Sequence, residues 1–519
     1  MRRYVFIGVL VLFTGCKVGP DYQVPSSTMP KEYAEKKEEK TFAPTNEELT
    51  GWWSRFEDPF LDSLIQDAVS GNFDYRIALE QVAQSRSEYW VEFTHILPEL
   101  DFDASASRFR SSQSFASQTP ASSTTSNTSS TTTTTTSAPL VPPSTTTAST
   151  SSTTTASTVG VAVSPVQRFF QIGFDVIWEI DLFGKLRRAA DAAYDTYESA
   201  AEISQDVKIT LISEVARGYT SICALQEKVV LATEIVAADE LVYSLQSDRF
   251  ASGLTPDQDV ETSRATLETD KAALKVLQTS LKQSIYSLAV LLGKEPETVL
   301  MDFLTKRPMP SSRGKLPEGL PADLLKRRHD IRSAERQLAA ATEEVGVAIA
   351  QLYPSLSLAG SSSSFAANPL QGANYGFTSD KLHKLFKNKS RIWGIGGLLT
   401  VPVFDFGNRL AGVEAQRAVQ RQAALFYQKS VVSALEEVES ALTAAFNEED
   451  RERSLEITAA ANRKNYDLTL GLFKAGLADA LQVSAAQKVW LSAASDLTDS
   501  QESLTTDVIS LYKSIGGSW

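Results

Sequence analysis

Cysteine is almost missing from this chain, with Cys16 and Cys223 the two among 519 residues. If Cys16 is modified, no intramolecular disulfide can form, and Cys223 reads as a small buried apolar residue. Histidine is also scarce: His95, His329 and His383 lie far apart, with no His-Glu-x-x-His or Cys-x-x-Cys spacing. Gly184-Lys185-Leu186 lacks the upstream glycine and the Ser/Thr of a phosphate loop. Neither catalysis nor a bound metal or other cofactor is expected. Beyond the N-terminus no apolar run reaches the roughly 20 residues of a transmembrane helix, so a membrane crossing would require strands in a closed barrel. Positive charge is in deficit, 50 Lys and Arg against 63 Asp and Glu, a net of −13. That becomes −15 if Arg2 and Arg3 are removed, which argues against nucleic acid as a partner.

What is present begins with a secretory pattern: Met1-Arg2-Arg3, an apolar run from Tyr4 to Phe13, then Thr14-Gly15-Cys16. Leu12-Phe13-Thr14-Gly15-Cys16 has the form of a lipobox, making 1–15 a signal peptide and Cys16 the lipidated first residue. Lys17, where an Asp would favour inner-membrane retention, points to the outer membrane.

An internal repeat organises the rest. Phe183-Gly184 matches Phe406-Gly407, Glu214-Val215 matches Glu437-Val438, Gly253-Leu254 matches Gly476-Leu477, and Gly293 matches Gly516, all 223 residues apart. Upstream, Asp74-Tyr75-Arg76 pairs with Asp330-Ile331-Arg332 and Pro98 with Pro354 at an offset of 256, so the first half carries 33 extra residues. They coincide with a tract at 111–158 holding 33 Ser or Thr among 48 residues, within a stretch that has no charge between Arg110 and Arg168. Such a composition cannot bury enough apolar surface to offset ordering entropy and predicts a solvated loop facing the outside.

Each half then reads as a helix, a strand, a loop, a strand, a very long helix, a Gly-Leu turn and a shorter helix. Phe170, Ile172, Phe174, Val176, Trp178 and Ile180 share one strand face, with Gln171, Gly173 and Asp175 on the other. Trp393, Ile395, Leu399, Val401 and Val403 repeat the pattern in the second half. Apolar-out, polar-in alternation fits a barrel strand. Leu186 to Ser252 contains no Pro and one Gly, a helix of roughly 100 Å at 1.5 Å per residue. Leu186, Ala190, Ala193, Tyr197, Ala200, Ser204, Val207 and Leu211 form a heptad seam with Ser204 its polar member. Asp181 and Asp405, each just before a Phe-Gly, read as helix-start carboxylates, and the charge-rich stretch Glu436 to Arg453 as a solvated helix face. Four strands cannot close a useful barrel, so three copies giving 12 strands are expected.

Gly51-Trp52-Trp53, Phe56-Glu57-Asp58-Pro59, the run Trp178 to Arg187, Tyr353-Pro354-Ser355-Leu356, Val401 to Gly407 and Ile515-Gly516-Gly517-Ser518-Trp519 resemble the lipoprotein (NodT-type) branch of TolC-like outer-membrane efflux factors. The resemblance implies an α+β membrane protein of a Gram-negative bacterium. It would be a homotrimeric duct with a 12-stranded β-barrel in outer-membrane lipid, a periplasmic α-helical barrel and an equatorial belt, anchored by lipid on Cys16. It further implies a periplasmic adaptor gripping the tips and an inner-membrane transporter of the RND class as partners. The resulting boundaries are 16–58 as a lipidated extension, 59–293 as repeat one (hairpin 99–181, helical hairpin 186–292), 294–321 as a linker, and 322–519 as repeat two (hairpin 355–405, helical hairpin 408–515). By the resemblance, Gly253, Leu254, Asp257, Gly476 and Leu477 form the adaptor-facing tips, and Leu481 falls at an apolar gate position. Ala485 and Ala478 stand where the family often has acidic and basic gate residues, so an acidic ring would come from Asp257, Asp259 or Asp479. His329 replaces a usual Pro and suggests only a loosened helix start. Two alternatives stay open: a trimeric surface stalk of structural or adhesive role, and, within channels, a type I protein secretion duct.

Overall fold

The structure is a computed structural model and describes residues 16–25, 30, 32–34, 41–42, 50–110, 166–310, 316–317, 321–359 and 372–517. The signal peptide at 1–15 and the Ser/Thr tract at 111–158 lie outside the described residues.

The elements run β1 (Thr41–Phe42), α1 (Pro59–Gly71), α2 (Phe73–Thr94), β2 (Glu99–Arg110), β3 (Val166–Ile180), α3 (Lys185–Ala251), α4 (Asp257–Leu291), α5 (Pro296–Asp302), β4 (Leu316–Pro317), α6 (Pro321–Arg327) and α7 (His329–Ala350). They continue with β5 (Ser355–Ala359), β6 (Gly372–Ser379), β7 (Arg391–Gly396), β8 (Leu398–Thr400), α8 (Asn408–Lys474) and α9 (Ala480–Ser514). Two compact units divide the chain. One comprises Val91–Arg188, Val347–Leu410 and the described residues up to Val18; the other comprises Gly19–Trp90, Ala189–Gly346 and Ala411 onward.

The first unit holds an antiparallel sheet. β2 pairs with β3 along its whole length, β3 pairs with both β5 and β6, and these pair with β8 and β7 respectively. Ile177 and Val176, neighbours on β3, face Ala359 and Ala373, so β5 and β6 lie in one lane beside β3. β7 and β8 likewise share a lane, broken at Gly397, and the six segments form four lanes.

Burial in the sheet is inverted relative to a soluble core. Gln171, Gly173 and Asp175 are buried, whereas Phe174, Trp393, Ile395 and Leu399 are exposed. Phe102 faces Phe174 across the ladder with ring centroids 5.2 Å apart, an aromatic pair on the exposed side. On the buried side Gly173 faces Gly376, and a Cβ on Gly376 would lie 2.5 Å from the Ile172 carbonyl, so only glycine permits this approach.

In the second unit α3 and α8 are 67 residues each and α4 and α9 are 35 each. The single helix expected at the start of each half is broken in two, at Asn72 and at Arg328. Both residues do the same work: Asn72 Nδ2 donates to the Leu291 carbonyl and Arg328 Nη1 to the Ser514 carbonyl, each at 2.9 Å. These side chains satisfy carbonyls left open where α4 and α9 end. Gly293 and Gly516 follow with φ of +64° and +85°, packed against the backbone of Gly71 and the side chain of Arg327.

The motif around Trp52 is explained by packing. Asp58 caps α1 by accepting from Phe60 N at 2.9 Å, with Pro59 at its first position, and Asp58 also accepts from the Tyr219 hydroxyl at 2.6 Å. Trp52 stacks on Tyr512 at 5.2 Å, and a Cβ on Gly517 would lie 2.9 Å from the indole. Cys223 is buried in this core, which pushes its thiol up to about 12 and leaves it unreactive. Of the heptad seam, Ala190, Ser204 and Leu211 are buried in the single chain, while Ala193, Tyr197, Ala200 and Val207 are half-buried. The segment 294–321 contains α5 and β4, and β4 pairs in parallel with β1.

Candidate functional site

Both long helices end in the same backbone arrangement. At the first turn Gly253 has φ +72°, Gly253 N donates to the Phe250 carbonyl and Leu254 N to the Arg249 carbonyl, both at 2.8 Å. At the second, Gly476 has φ +75°, Gly476 N donates to Phe473 O and Leu477 N to Leu472 O, both at 2.9 Å. This is the Schellman closure, which needs a left-handed residue and therefore glycine. A Cβ on either glycine meets nothing within 4 Å, so the requirement is conformational and not steric. The residue after each glycine is a leucine whose side chain stays in solvent: Leu254 is 72% and Leu477 77% exposed. Each turn therefore presents an uncovered apolar contact.

The returning helices start differently. Asp479 caps α9 in a reciprocal box with Gln482, whereas α4 starts from Pro256, with Asp257 and Asp259 in its first turn and Thr255 Oγ1 donating to Asp259 Oδ2 at 2.8 Å. Asp479 also accepts from Arg249 Nη1 at 2.9 Å, tying the two turns together. This hydrogen bond holds its carboxyl below the usual range. Asp479 is thus occupied as cap and ion-pair partner, while Asp257 and Asp259 are exposed. Leu481 is 43% exposed and lines a cavity with Asp239, Gln246, Asp259, Ser484 and Lys488. Ala485 lines the same cavity.

Sequence reasoning missed Arg249 and Lys488. Lys488 Nζ bonds Asp270 Oδ2 at 2.7 Å and Asp239 Oδ2 at 3.1 Å, joining α3, α4 and α9. Burial pushes Asp239 up to about 6. For Arg249 a basic residue in the last helical turn was visible, but its partner lies 230 residues away and no local pattern reveals it.

At the other end of the long helices, Asp181 Oδ2 accepts from Arg187 N at 3.0 Å and Asp405 Oδ2 from Arg409 N at 3.1 Å, the helix-start role read from the sequence. Gly184 and Gly407 are both left-handed. Cys16 is exposed, and the residues after it are fixed: Val18 N donates to Phe183 O and its carbonyl accepts from Arg188 Nε, each at 3.1 Å. His329 pairs through Nδ1 with Glu202 Oε2 at 2.6 Å, a contact the sequence did not suggest. The stretch Glu436 to Arg453 is mixed: Glu448, Glu449, Arg451 and Arg453 make local pairs, but Glu437 bonds Arg328 at 2.7 Å and Glu448 accepts from Ser500 at 2.6 Å. Among the described residues no group of three or more His, Cys, Asp or Glu side chains could hold a metal ion.

The family described as outer membrane efflux protein matches residues 134–294 and 320–517. Nodulation protein T of Rhizobium leguminosarum bv. viciae is 24% identical over 507 residues, covering 98% of this chain and 92% of that protein. The probable efflux pump outer membrane protein TtgC of Pseudomonas putida is 26% identical over 511 residues, covering 97% and 93%. The outer-membrane channel OprN superposes with a TM-score of 0.77 at 26% identity, over 97% of this chain and all of that one. With the family model matching most of the chain, this chain belongs to the outer membrane efflux protein family.

Proposed function

We propose that this chain is the outer-membrane duct of a tripartite efflux assembly, through which solutes pass from the periplasm to the exterior without chemistry on the way. The observation that carries the reading is the inverted sheet, which hides Gln171, Gly173 and Asp175 and exposes Phe174, Trp393 and Ile395. Such a surface is stable in lipid and costly in water. Four lanes per chain leave open edges, and three copies give 3 × 4 = 12, enough to close a barrel around a lumen. The helices, turned at Gly253 and Gly476, supply the tube in the periplasm, duplicated within each chain. Cys16 carries the lipid anchor in the outer membrane of a Gram-negative bacterium.

The partners are a periplasmic adaptor on the tips and an inner-membrane pump of the RND class. The exposed Leu254 and Leu477 are suited to the adaptor, since an apolar side chain left in water at a turn gains by being covered. Relatives named as efflux-pump outer membrane proteins support the efflux reading over the adhesive stalk.

Photo-crosslinking residues placed at Leu254 and at Leu477 in the native host test the proposal. Both are expected to capture one periplasmic adaptor, and deletion of the gene is expected to raise drug accumulation. Capture of nothing from either position, with accumulation unchanged by the deletion, overturns it.

A further inference from the structure

The turn between β6 and β7, residues 380–390, stands at the end of the sheet away from Lys185, where α3 begins. Internal bonds shape it: Lys384 N donates to the Lys381 carbonyl at 3.0 Å and Ser390 Oγ to the Lys384 carbonyl at 2.9 Å, while Leu385 is buried. Lys381, Lys384, Lys387 and Lys389 are all exposed. Between them Leu382 and Phe386 are 63% and 70% exposed, and the Phe386 ring centroid lies 5.7 Å from that of Phe377 on β6.

The apolar face of the sheet ends in the same charge. Arg108 and Arg168 face each other across β2 and β3, six residues on from the Phe102 and Phe174 pair and so on its side of the sheet. Arg391 starts β7 on the face that carries Trp393 and Ile395, with its guanidinium 6.0 Å from the Tyr375 ring. The exposed apolar band thus passes into a cationic rim.

The chain supplies almost nothing to offset this charge. Residues 104–174 and 355–404 together contain eight Lys or Arg and one carboxylate, Asp380, in a protein whose net charge is −13. Among the described residues, no ion pair reaches the four lysines, Arg108, Arg168 or Arg391. At the other end of the sheet, by contrast, Lys185 pairs with Glu179 at 3.0 Å and Arg187 with Asp181 at 3.2 Å. A second copy would bring the same single carboxylate to this rim, so it cannot provide the counter-charge. An anion that matches the rim therefore comes from outside the protein, and the adjoining apolar face selects one that stands at the edge of an apolar phase.

We propose that this rim binds the phosphate groups of a phosphorylated glycolipid of the outer leaflet, the lipid A part of lipopolysaccharide. The arginines offer forked N–H donors to phosphate oxygens, the lysines add point charges, and Leu382 and Phe386 extend the apolar face toward the acyl chains. The proposal rests on the reading of the sheet as part of a barrel in the outer membrane.

The test is fluorescence titration of the detergent-solubilised full-length assembly with labelled diphosphorylated lipid A, and in parallel with the same lipid stripped of both phosphates. Heparin serves as a soluble polyanion. Saturable binding of the phosphorylated lipid alone is expected, weakened about tenfold or more when Lys384, Lys387 and Lys389 are replaced together by Gln, because three charges are lost at an anionic lipid surface. Should that variant assemble poorly, Arg391→Gln is expected to weaken binding in the same direction. Replacing Lys282, Lys429 and Lys464, exposed lysines of α4 and α8, together by Gln removes equal charge and is expected to leave binding unchanged. Equal binding of the dephosphorylated lipid, wild-type affinity in both rim variants, an equal loss in the helix variant, or tighter binding of heparin than of lipid A overturns the inference. Lipid A binding needs no conduction: a protein that conducts in planar bilayers but does not bind lipid A refutes this inference alone, and one that binds lipid A without conducting refutes the duct alone.

Discussion

Four glycines close four helices with the same left-handed turn, yet the structure separates them into two pairs with different consequences. Replacing Gly476 by Ala places a Cβ on a residue at φ +75° with nothing within 4 Å, so the cost is the conformational one alone, on the order of 1 kcal/mol. Replacing Gly293 by Ala adds the same conformational cost at φ +64° and also drives the Cβ into the carbonyl of Gly71. That carbonyl belongs to backbone at the end of α1 and cannot rotate away as a side chain would. Overpacking of this kind typically costs about 1–3 kcal/mol, for a total of about 2–4 kcal/mol. The assay is thermal disruption of the purified assembly, followed in parallel by helical circular dichroism and by mobility on mildly denaturing gels. Gly476→Ala is expected to leave both midpoints almost unchanged, because the strain is confined to an exposed turn. Gly293→Ala is expected to lower both together. Equal effects from the two substitutions, or a larger one from Gly476→Ala, refute the reasoning that contact and not conformation decides the cost.

Other expectations follow from single contacts. Asp479→Asn keeps a capping residue but removes the ion pair with Arg249, and because that pair is exposed the loss in stability should stay under about 1 kcal/mol in chemical denaturation. Since the pair depresses the Asp479 carboxyl, its contribution is full above the ordinary aspartate value of about 3.9 and is lost as pH falls below it, so variant and parent should converge in stability at low pH. Leu481→Ser should make cells leak small antibiotics inward while the assembly stays intact; unchanged susceptibility would remove Leu481 from the gate. Cys16→Ser should leave strands and helices unaltered by circular dichroism while mass spectrometry shows loss of the acylated N-terminus; a wild-type N-terminus that starts elsewhere or carries no lipid would contradict the anchor.

The sequence made the helices legible because their signals are local. Absence of proline over 67 residues, a heptad of small residues, and Gly-Leu at a constant offset are all readable without knowing what packs where. Asp181 and Asp405 were readable for the same reason, since a helix-start carboxylate acts on amides a few residues on. The breaks at Asn72 and Arg328 were not, because each is stabilised by a carbonyl roughly 200 residues away. Likewise the split lane of β5 and β6 depends on pairing with β3, and alternation alone cannot distinguish one long strand from two short ones in register. At the candidate site, the glycines and leucines were visible as turn chemistry, while the link from Arg249 to Asp479 and the Lys488 bridge were invisible. They are contacts between helices whose faces carry many other charges.

The claim that this chain forms a duct is tested most directly by current through planar bilayers containing the purified assembly, wild type beside Leu481→Ser. The account predicts discrete conductance steps from inserted trimers, larger in Leu481→Ser than in wild type. Trimers of both forms that insert stably and pass no ion current would contradict it.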